Sequence, residues 1–503
     1  MRKQIIIVFI VAIIIRVGCS LFVFTYPERA FGPGADSYCY HDLATRMIEY
    51  GGFSVYPKES YLPEPARMPG YPVLLYLIYK IFGPYPWAVA LVQALLDSFT
   101  AVLIFKCVAL MISPTAGFIS GLLYALSLHQ ALYTTQILTE TSFTLFLMLS
   151  ILFLCISIRK PTFFILSAFL LGISAFIRQI GIYFPIIVAI WMMIAFRAKL
   201  KLAIKWVAIL GVVFISVIAP WGIRNYKCFG KFFISTMADI NIAHWNAAPV
   251  LAQIEGISDE TARQRILERI TAKYKVSDER VKMFGDDPEI SKLMREVGIE
   301  IIRNHPFLYA KEHLLGFVKV FVHSELAYWA RLLYGYERER LKAMNPISKN
   351  VLSLVMSGKI KSAGDLMYNE RLKVMPGGLI LLWIFISFFE LGVYIVAFFG
   401  AKYIFRANSN VFWLLMFTIL YFSFLPGPVG DGRFRVPIEP YISILAGCCS
   451  EAKIPFVPLR RWLRRGGICG RWKRLRVDSV PLSSGSRCGG GLLTRKIKIS
   501  QRI

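Results

Sequence analysis

What most constrains this chain is a train of apolar runs too long and too numerous for a water-soluble core. The first, Ile5 to about Thr25, follows Arg2 and Lys3 and reaches the ~20 residues that cross hydrocarbon. Further spans are read at 86–111, 115–132, 141–158, 162–178, 182–197, 206–222, 377–400, 410–426 and 436–450, which makes about ten. A signal peptide shares the basic start, but its core is shorter and leads to a small-residue cleavage site that is not found here. The first run is therefore read as an uncleaved span with its N-terminus in the cytoplasm. Of the 503 residues, 56% are hydrophobic and only 18% charged, against about 25% charged in soluble domains. Much of the surface must face lipid, and the fold expected is an all-α polytopic membrane bundle.

The net charge of +27 invites a nucleic-acid reading, but its distribution argues against one. Residues 451–503 alone hold fourteen Lys and Arg against two acids. Most of the remaining excess flanks the spans, and a basic patch alone is only an electrostatic footprint, so no nucleic-acid partner is expected. With the N-terminus inside, Lys106, Arg159, Lys160, Arg197, Lys199, Lys201, Lys205, Lys402 and Arg406 fall in cytoplasmic connections, as the positive-inside rule requires. The chain then divides into an N-terminal membrane module (1–222) with an outer loop at 26–85, an extracytoplasmic, mainly helical insert (223–376), C-terminal membrane helices (377–450) and a basic tail (451–503). The tail's Arg, Gly and Ser content predicts disorder near the anionic inner leaflet.

The insert reads as helical. Asp287 is an N-cap, with Pro288 at the first helical position, and Ile290, Leu293, Val297 and Ile301 recur at helix spacing. Asn304-His305-Pro306 breaks that helix and starts another, whose stripe of Phe307, Ala310, Leu314, Phe317 and Phe321 on one face is expected to pack in a core or along the membrane interface, with capping a cavity as the alternative. None of the nine cysteines forms a CxxC pair; Cys39 and Cys228 fall outside the cytoplasm, their pairing left open.

Ionisable groups within or beside spans are costly and are functional candidates by default. Arg16, Asp97 and Glu390, taken singly, read as structural. Convergence is more telling. The expected topology gathers Asp36, Asp42, Glu64 and Arg67 from the first loop, Glu140, Arg178 and Arg224 from span ends, and Asp431, Arg433 and Arg435 from the last outer turn. Asp36 stands in Gly32-Pro-Gly-Ala-Asp36-Ser-Tyr38, a turn feeding an amphipathic helix, where an anionic side chain is favoured. In Pro65-Ala-Arg67-Met-Pro69-Gly70-Tyr71-Pro72 the prolines stiffen the backbone around one guanidinium, a group suited to bidentate grip on phosphate; a simple re-entrant turn is the alternative. No HExxH or carboxylate–His spacing supports a metal, though a divalent ion stays open; P-loop, Rossmann and GxSxG patterns are missing.

Several of these segments resemble glycosyltransferase family 39, the dolichyl-phosphate-mannose–protein mannosyltransferase-like enzymes of GT-C architecture. The resemblance rests on Asp36-x-Tyr38, Arg67-Met-Pro-Gly-Tyr-Pro72, Gln93-Ala-Leu-Leu-Asp97, Ile137-Leu-Thr139-Glu140, Pro220-Trp-Gly-Ile-Arg224-Asn225-Tyr226 and Gly432-Arg433-Phe-Arg435-Val-Pro437-Ile-Glu-Pro440. It leans towards the bacterial branch that includes the aminoarabinose transferase of lipid A, because Ser37 follows Asp36 where the eukaryotic protein mannosyltransferases carry an Asp-Glu pair.

The resemblance implies transfer of a sugar from a polyprenyl-phosphate carrier to a lipid, glycan or protein acceptor on the periplasmic face of the bacterial inner membrane. It makes Asp36 the catalytic base. A base within reach of a sugar hydroxyl suits that reaction, and cationic groups should neutralise the leaving phosphate; Arg67, Arg433 and Arg435 are expected there. Single-step displacement inverts the anomeric centre with one essential carboxylate. Glu140 is assigned to the acceptor or to orienting the site, with helix capping as the alternative; Arg178 and Tyr71 complete the substrate-binding set. Other classes are a solute transporter, a lipid-linked oligosaccharide polymerase or ligase, and a membrane scaffold. Transporters carry repeated halves and interrupted spans near mid-membrane, whereas the polar residues here collect at one face.

Overall fold

The computed structural model describes residues 1–157, 160–322, 325–337, 350–355, 357–370, 373 and 375–452. Expectations for the tail beyond Ala452 lie outside the described residues. The described chain is helical, with no strand among the described residues. The N-terminal helices are α1 (Arg2–Thr25), α2 (Asp36–Tyr50), α3 (Gly70–Phe82), α4 (Pro86–Met111), α5 (Pro114–Ala125), α6 (Leu128–Thr134), α7 (Glu140–Ser157), α8 (Phe163–Ile177), α9 (Phe184–Ala195) and α10 (Leu200–Phe229). The insert holds α11 (Met237–Asn241), α12 (Ala248–Glu255), α13 (Asp259–Tyr274), α14 (Asp278–Lys282), α15 (Pro288–Asn304), α16 (Pro306–Val322), α17 (Leu326–Tyr334) and α18 (Ile360–Glu370). The chain then returns through α19 (Gly377–Ala407), α20 (Ser409–Phe424) and α21 (Glu439–Cys448).

Among the described residues five helices are long and apolar enough to cross a membrane: Arg2–Thr25, Pro86–Met111, Glu140–Ser157, the stretch Arg197–Phe229 and Gly377–Ala407. Four more, including α8 and α20, are apolar but shorter, so the expected count of about ten is not reached on length alone. The run expected at 115–132 is two helices. Ser127 ends the first and caps the second, its side chain accepting from the Gln130 amide. α10 continues past residue 222 to Phe229, where Gly230 takes the left-handed conformation (φ 70°) that ends the helix.

α4 is the hub, packed by α1, α5 and α7, while α8 lies on α7 and α19 pairs with α21. α1 and α4 are held together by a buried ion pair: Arg16 Nε lies 2.7 Å from Asp97 Oδ2, and Tyr124 donates to Asp97 Oδ1 at 2.6 Å. Both charges are therefore paired and hydrogen-bonded, the condition for tolerating them inside.

The insert has its own core of Ile240, Val250, Leu251, Ile266, Ile270, Met294 and Val297, closed by Ala66 from the first loop. Asp287 caps α15 as expected, accepting from the Glu289 and Ile290 amides. The stripe on α16 is packed in part, Phe317 against Phe424 and Phe321 against Tyr394. Phe307 is 89% exposed and Leu314 half-exposed, while Leu315, Gly316 and Val320 turn inward. The reason is backbone contact: at Gly316 the helix lies so close to the Gly427 carbonyl that a Cβ would not fit, and this fixes which face is buried.

Candidate active site

The sequence places Asp36 at the first residue of α2, Glu140 at the first residue of α7, Arg178 just past α8, Arg67 in the loop before α3, and Arg433 in a 3₁₀ turn (Gly432–Arg435) between α20 and α21. The alternating directions of the helices bring these positions to one end of the bundle, where they form a continuous ionic chain. Arg67 Nη1 lies 2.7 Å from Asp36 Oδ1, and Arg433 Nη1 lies 2.9 Å from Asp36 Oδ2. Arg433 Nε reaches Glu140 Oε1 at 2.8 Å, and Arg178 Nη1 meets the same oxygen at 2.8 Å. Three guanidinium groups thus alternate with two carboxylates.

The chain has an open and a closed end. Side-chain exposure is 26% at Asp36, 17% at Arg67 and 21% at Arg433, but 0% at Glu140 and 9% at Arg178. A ligand from outside meets Asp36 with its two arginines first. Burial pushes the Asp36 carboxyl upward, but the Arg67 and Arg433 charges and hydrogen bonds outweigh it and hold the group well below the usual carboxylate range. The same pairing raises Arg67 and Arg433 against the desolvation that opposes it.

Each arginine is braced from behind. Glu64 Oε1 accepts from the amides of Ala66 (2.9 Å) and Arg67 (3.0 Å), folding the loop around its own side chain. Arg224 Nη1 donates to the Glu64 carbonyl at 2.9 Å, and Ser235 at the start of the insert donates to the Ala66 carbonyl at 2.5 Å. Gly70 abuts the α8 terminus so closely that a Cβ would lie 2.7 Å from the Phe176 carbonyl oxygen; this docks the Arg67 loop beside Arg178. Asp431 Oδ1 accepts from the Arg433 amide at 3.0 Å. The Phe434 ring lies under both Arg178 and Arg433, at 5.3 and 5.8 Å from the guanidinium carbons.

Two residues of the expected set sit elsewhere. Tyr71 is fully buried, donating to Gln93 Oε1 at 3.0 Å and meeting Tyr40 edge-on at 5.1 Å. Tyr40 in turn carries the Arg67 guanidinium over its ring, so Tyr71 supports the site from one layer below. Arg435 points away from Asp36 into a second buried cluster, with Glu390 Oε1 at 2.5 Å, Glu439 Oε1 at 3.2 Å and the Phe321 carbonyl at 3.0 Å. Side chains two apart on a 3₁₀ turn leave it on different sides, which separates Arg435 from Arg433. The bracing residues Ser235 and Phe434 were not singled out in the sequence. Phe434 lies inside the Arg433 motif, whereas nothing local marks Ser235.

Cys39 and Cys228 are both free thiols. Among the described residues no group of three His, Cys, Asp or Glu side chains could hold a metal ion; both Asp36 oxygens already face guanidinium nitrogens.

Comparison with known proteins bears on this site. Residues 64–223 match the family model described as dolichyl-phosphate-mannose-protein mannosyltransferase, so the family resemblance is borne out over that stretch, which contains Arg67, Tyr71, Glu140 and Arg178. No curated relative matches. Among solved structures, the chain is similar to the oligosaccharyltransferase AglB from Archaeoglobus fulgidus in complex with an inhibitory peptide and a dolichol-phosphate, with 12% identity over 94% of this chain and 53% of that one and a TM-score of 0.48. It is also similar to ArnT from Cupriavidus metallidurans bound to undecaprenyl phosphate, with 12% identity over 87% and 77% of the two chains and a TM-score of 0.38. The chain spans about half the length of the archaeal enzyme.

Proposed function

We propose that this chain, whose residues 64–223 match the dolichyl-phosphate-mannose-protein mannosyltransferase family, is a membrane glycosyltransferase that moves a sugar from a polyprenyl-phosphate donor to an acceptor hydroxyl. The acceptor is a lipid, glycan or protein on the extracytoplasmic face of a bacterial inner membrane. The observation that carries this reading is the Asp36 carboxylate set between two guanidinium groups at the open end of the ionic chain. A sugar hydroxyl is a weak nucleophile until a base takes its proton, and Asp36 is the exposed carboxylate of the chain. As the acceptor oxygen bonds to the anomeric carbon, the bond from that carbon to the phosphate oxygen breaks, and the phosphate leaves with the electron pair. Arg67 and Arg433 offer planar donors to that growing charge. One step from the opposite face inverts the anomeric centre.

Glu140, fully buried between Arg178 and Arg433, orients the cations rather than meeting the acceptor. The asymmetry of basic residues favours an inside N-terminus, which puts the site on the far side. A divalent ion, if used, would have to compete with guanidinium groups for Asp36.

The test is mass spectrometry of envelope glycoconjugates from cells with the chain, without it, and with Asp36→Asn. The reading expects one glycoconjugate to lose a sugar mass in the deletion and in the variant at unchanged protein abundance. Full modification in the Asp36→Asn cells contradicts it.

A further inference from the structure

Asp36 and a leaving phosphate make the same demand on the same two side chains. In the structure each Asp36 oxygen has one guanidinium: Oδ1 has Arg67 at 2.7 Å and Oδ2 has Arg433 at 2.9 Å. A carboxylate in that grip is a poor proton acceptor, and the Nη1 that each arginine gives to Asp36 is not open to phosphate. The arginines, by contrast, have anchors that do not depend on Asp36. Arg433 is held to Glu140 through Nε, leaving Nη1 as the atom that Asp36 occupies. Arg67 lies over the Tyr40 ring, in a loop folded around Glu64. If Asp36 lets go, both cations stay where they are.

We propose that Asp36 is a built-in stand-in for the donor phosphate: Arg67 and Arg433 grip its carboxylate until reaction and pass to the leaving phosphate as Asp36 takes the acceptor's proton. This rests on the transferase reading above. The step balances. The acceptor O–H proton goes to an Asp36 oxygen, and the acceptor oxygen bonds to the anomeric carbon. That carbon's bond to the phosphate oxygen breaks, turning a singly charged phosphodiester into a doubly charged monoester. The carboxyl loses one negative charge and the phosphate gains one, so the charge facing the two guanidinium groups is conserved and only relocates between them. Little reorganisation is then needed at the moment of reaction.

The hand-over makes Asp36 a competitor of prenyl phosphate. Its test is equilibrium binding of undecaprenyl phosphate to the full chain in lipid nanodiscs, with undecaprenol as the phosphate-free control. Asp36→Asn should bind undecaprenyl phosphate at least about tenfold more tightly than the wild type, even though it cannot transfer sugar. Asp36→Glu should bind like the wild type, and Arg67→Ala about tenfold more weakly; undecaprenol should not distinguish these forms. Asp36→Ser serves the same purpose if the Asn variant does not yield a monodisperse protein. Equal or weaker binding by the uncharged Asp36 variants overturns the hand-over and leaves the transferase reading standing. No binding of undecaprenyl phosphate by any form overturns both.

Discussion

Asp36 Oδ2 and Arg433 Nη1 lie 2.9 Å apart although 397 positions separate the two residues in sequence. This contact closes the start of α2 onto the turn between α20 and α21. Glu140 and Arg178 extend the same line inward from the ends of two further helices. Arg433 is the joint, because it touches both carboxylates.

Arg433 and Arg435 should therefore fail differently when removed. Arg433→Ala strips one guanidinium from the open end while Glu140 keeps Arg178, so transfer should fall about 100- to 1000-fold with the protein still folded. Arg435→Ala leaves Glu390 and Glu439 in the interior without their shared cation, and a broken buried pair costs about 3–5 kcal/mol. Its effect should be a fall in melting temperature and abundance. Glycoconjugate yield normalised to protein level, together with thermal melts, separates the two; matching profiles would contradict the division.

Arg16 and Asp97 should behave as a structural pair. Both are buried, so Arg16→Met strands a carboxylate and should destabilise by about 3–5 kcal/mol. Combining Arg16→Met with Asp97→Leu should recover much of that loss. Thermal unfolding in detergent measures both, and a double variant no more stable than the single one contradicts the assignment.

Cys228 offers a native topology probe, being an exposed free thiol in the last turn of α10. An impermeant maleimide should label it from outside in intact spheroplasts, and Cys228→Ser should remove that signal. Labelling only after permeabilisation would put the site on the wrong side of the membrane.

The insert carries a pH-sensitive contact of its own. Burial, reinforced by the charge of Arg263, lowers the His244 imidazole from 6.5 to about 4, and its ring meets Phe284 edge-on at 4.7 Å. The unfolded chain binds the proton more readily than the folded one, so the His244 contribution is present above pH 6.5 and is lost as pH falls towards about 4. His244→Gln should flatten the fall in melting temperature between pH 7 and pH 5; an unchanged slope would contradict this.

Much of the architecture was legible because hydrocarbon thickness imposes a length on apolar runs; α4 and α7 lie within a residue of their expected limits. Local capping decided what length could not. Ser127 divides one expected span in two, and α21 starts only at Glu439 where a span was expected from residue 436. At the site, side-chain chemistry singled out Asp36, Arg67, Glu140, Arg178 and Arg433 but gave no pairing, since pairing depends on how distant helix ends meet. That is why Arg433 and Arg435, alike in sequence, could not be told apart, and why Arg16 and Asp97 did not read as partners. On α16 periodicity marks an apolar face without saying which backbone it touches; the close approach at Gly316 makes that choice.

The central claim is that Asp36 takes the acceptor's proton as the sugar leaves a prenyl phosphate, and the lipid donor pool reports on it most directly. Liquid chromatography–mass spectrometry of prenyl-phosphate lipids should be run beside the glycoconjugate profile in cells carrying the wild type or Asp36→Asn. The account predicts that a prenyl-phosphate-linked sugar accumulates in the variant and that a glycoconjugate loses the same sugar mass. An unchanged donor pool together with an unchanged glycoconjugate profile would contradict it.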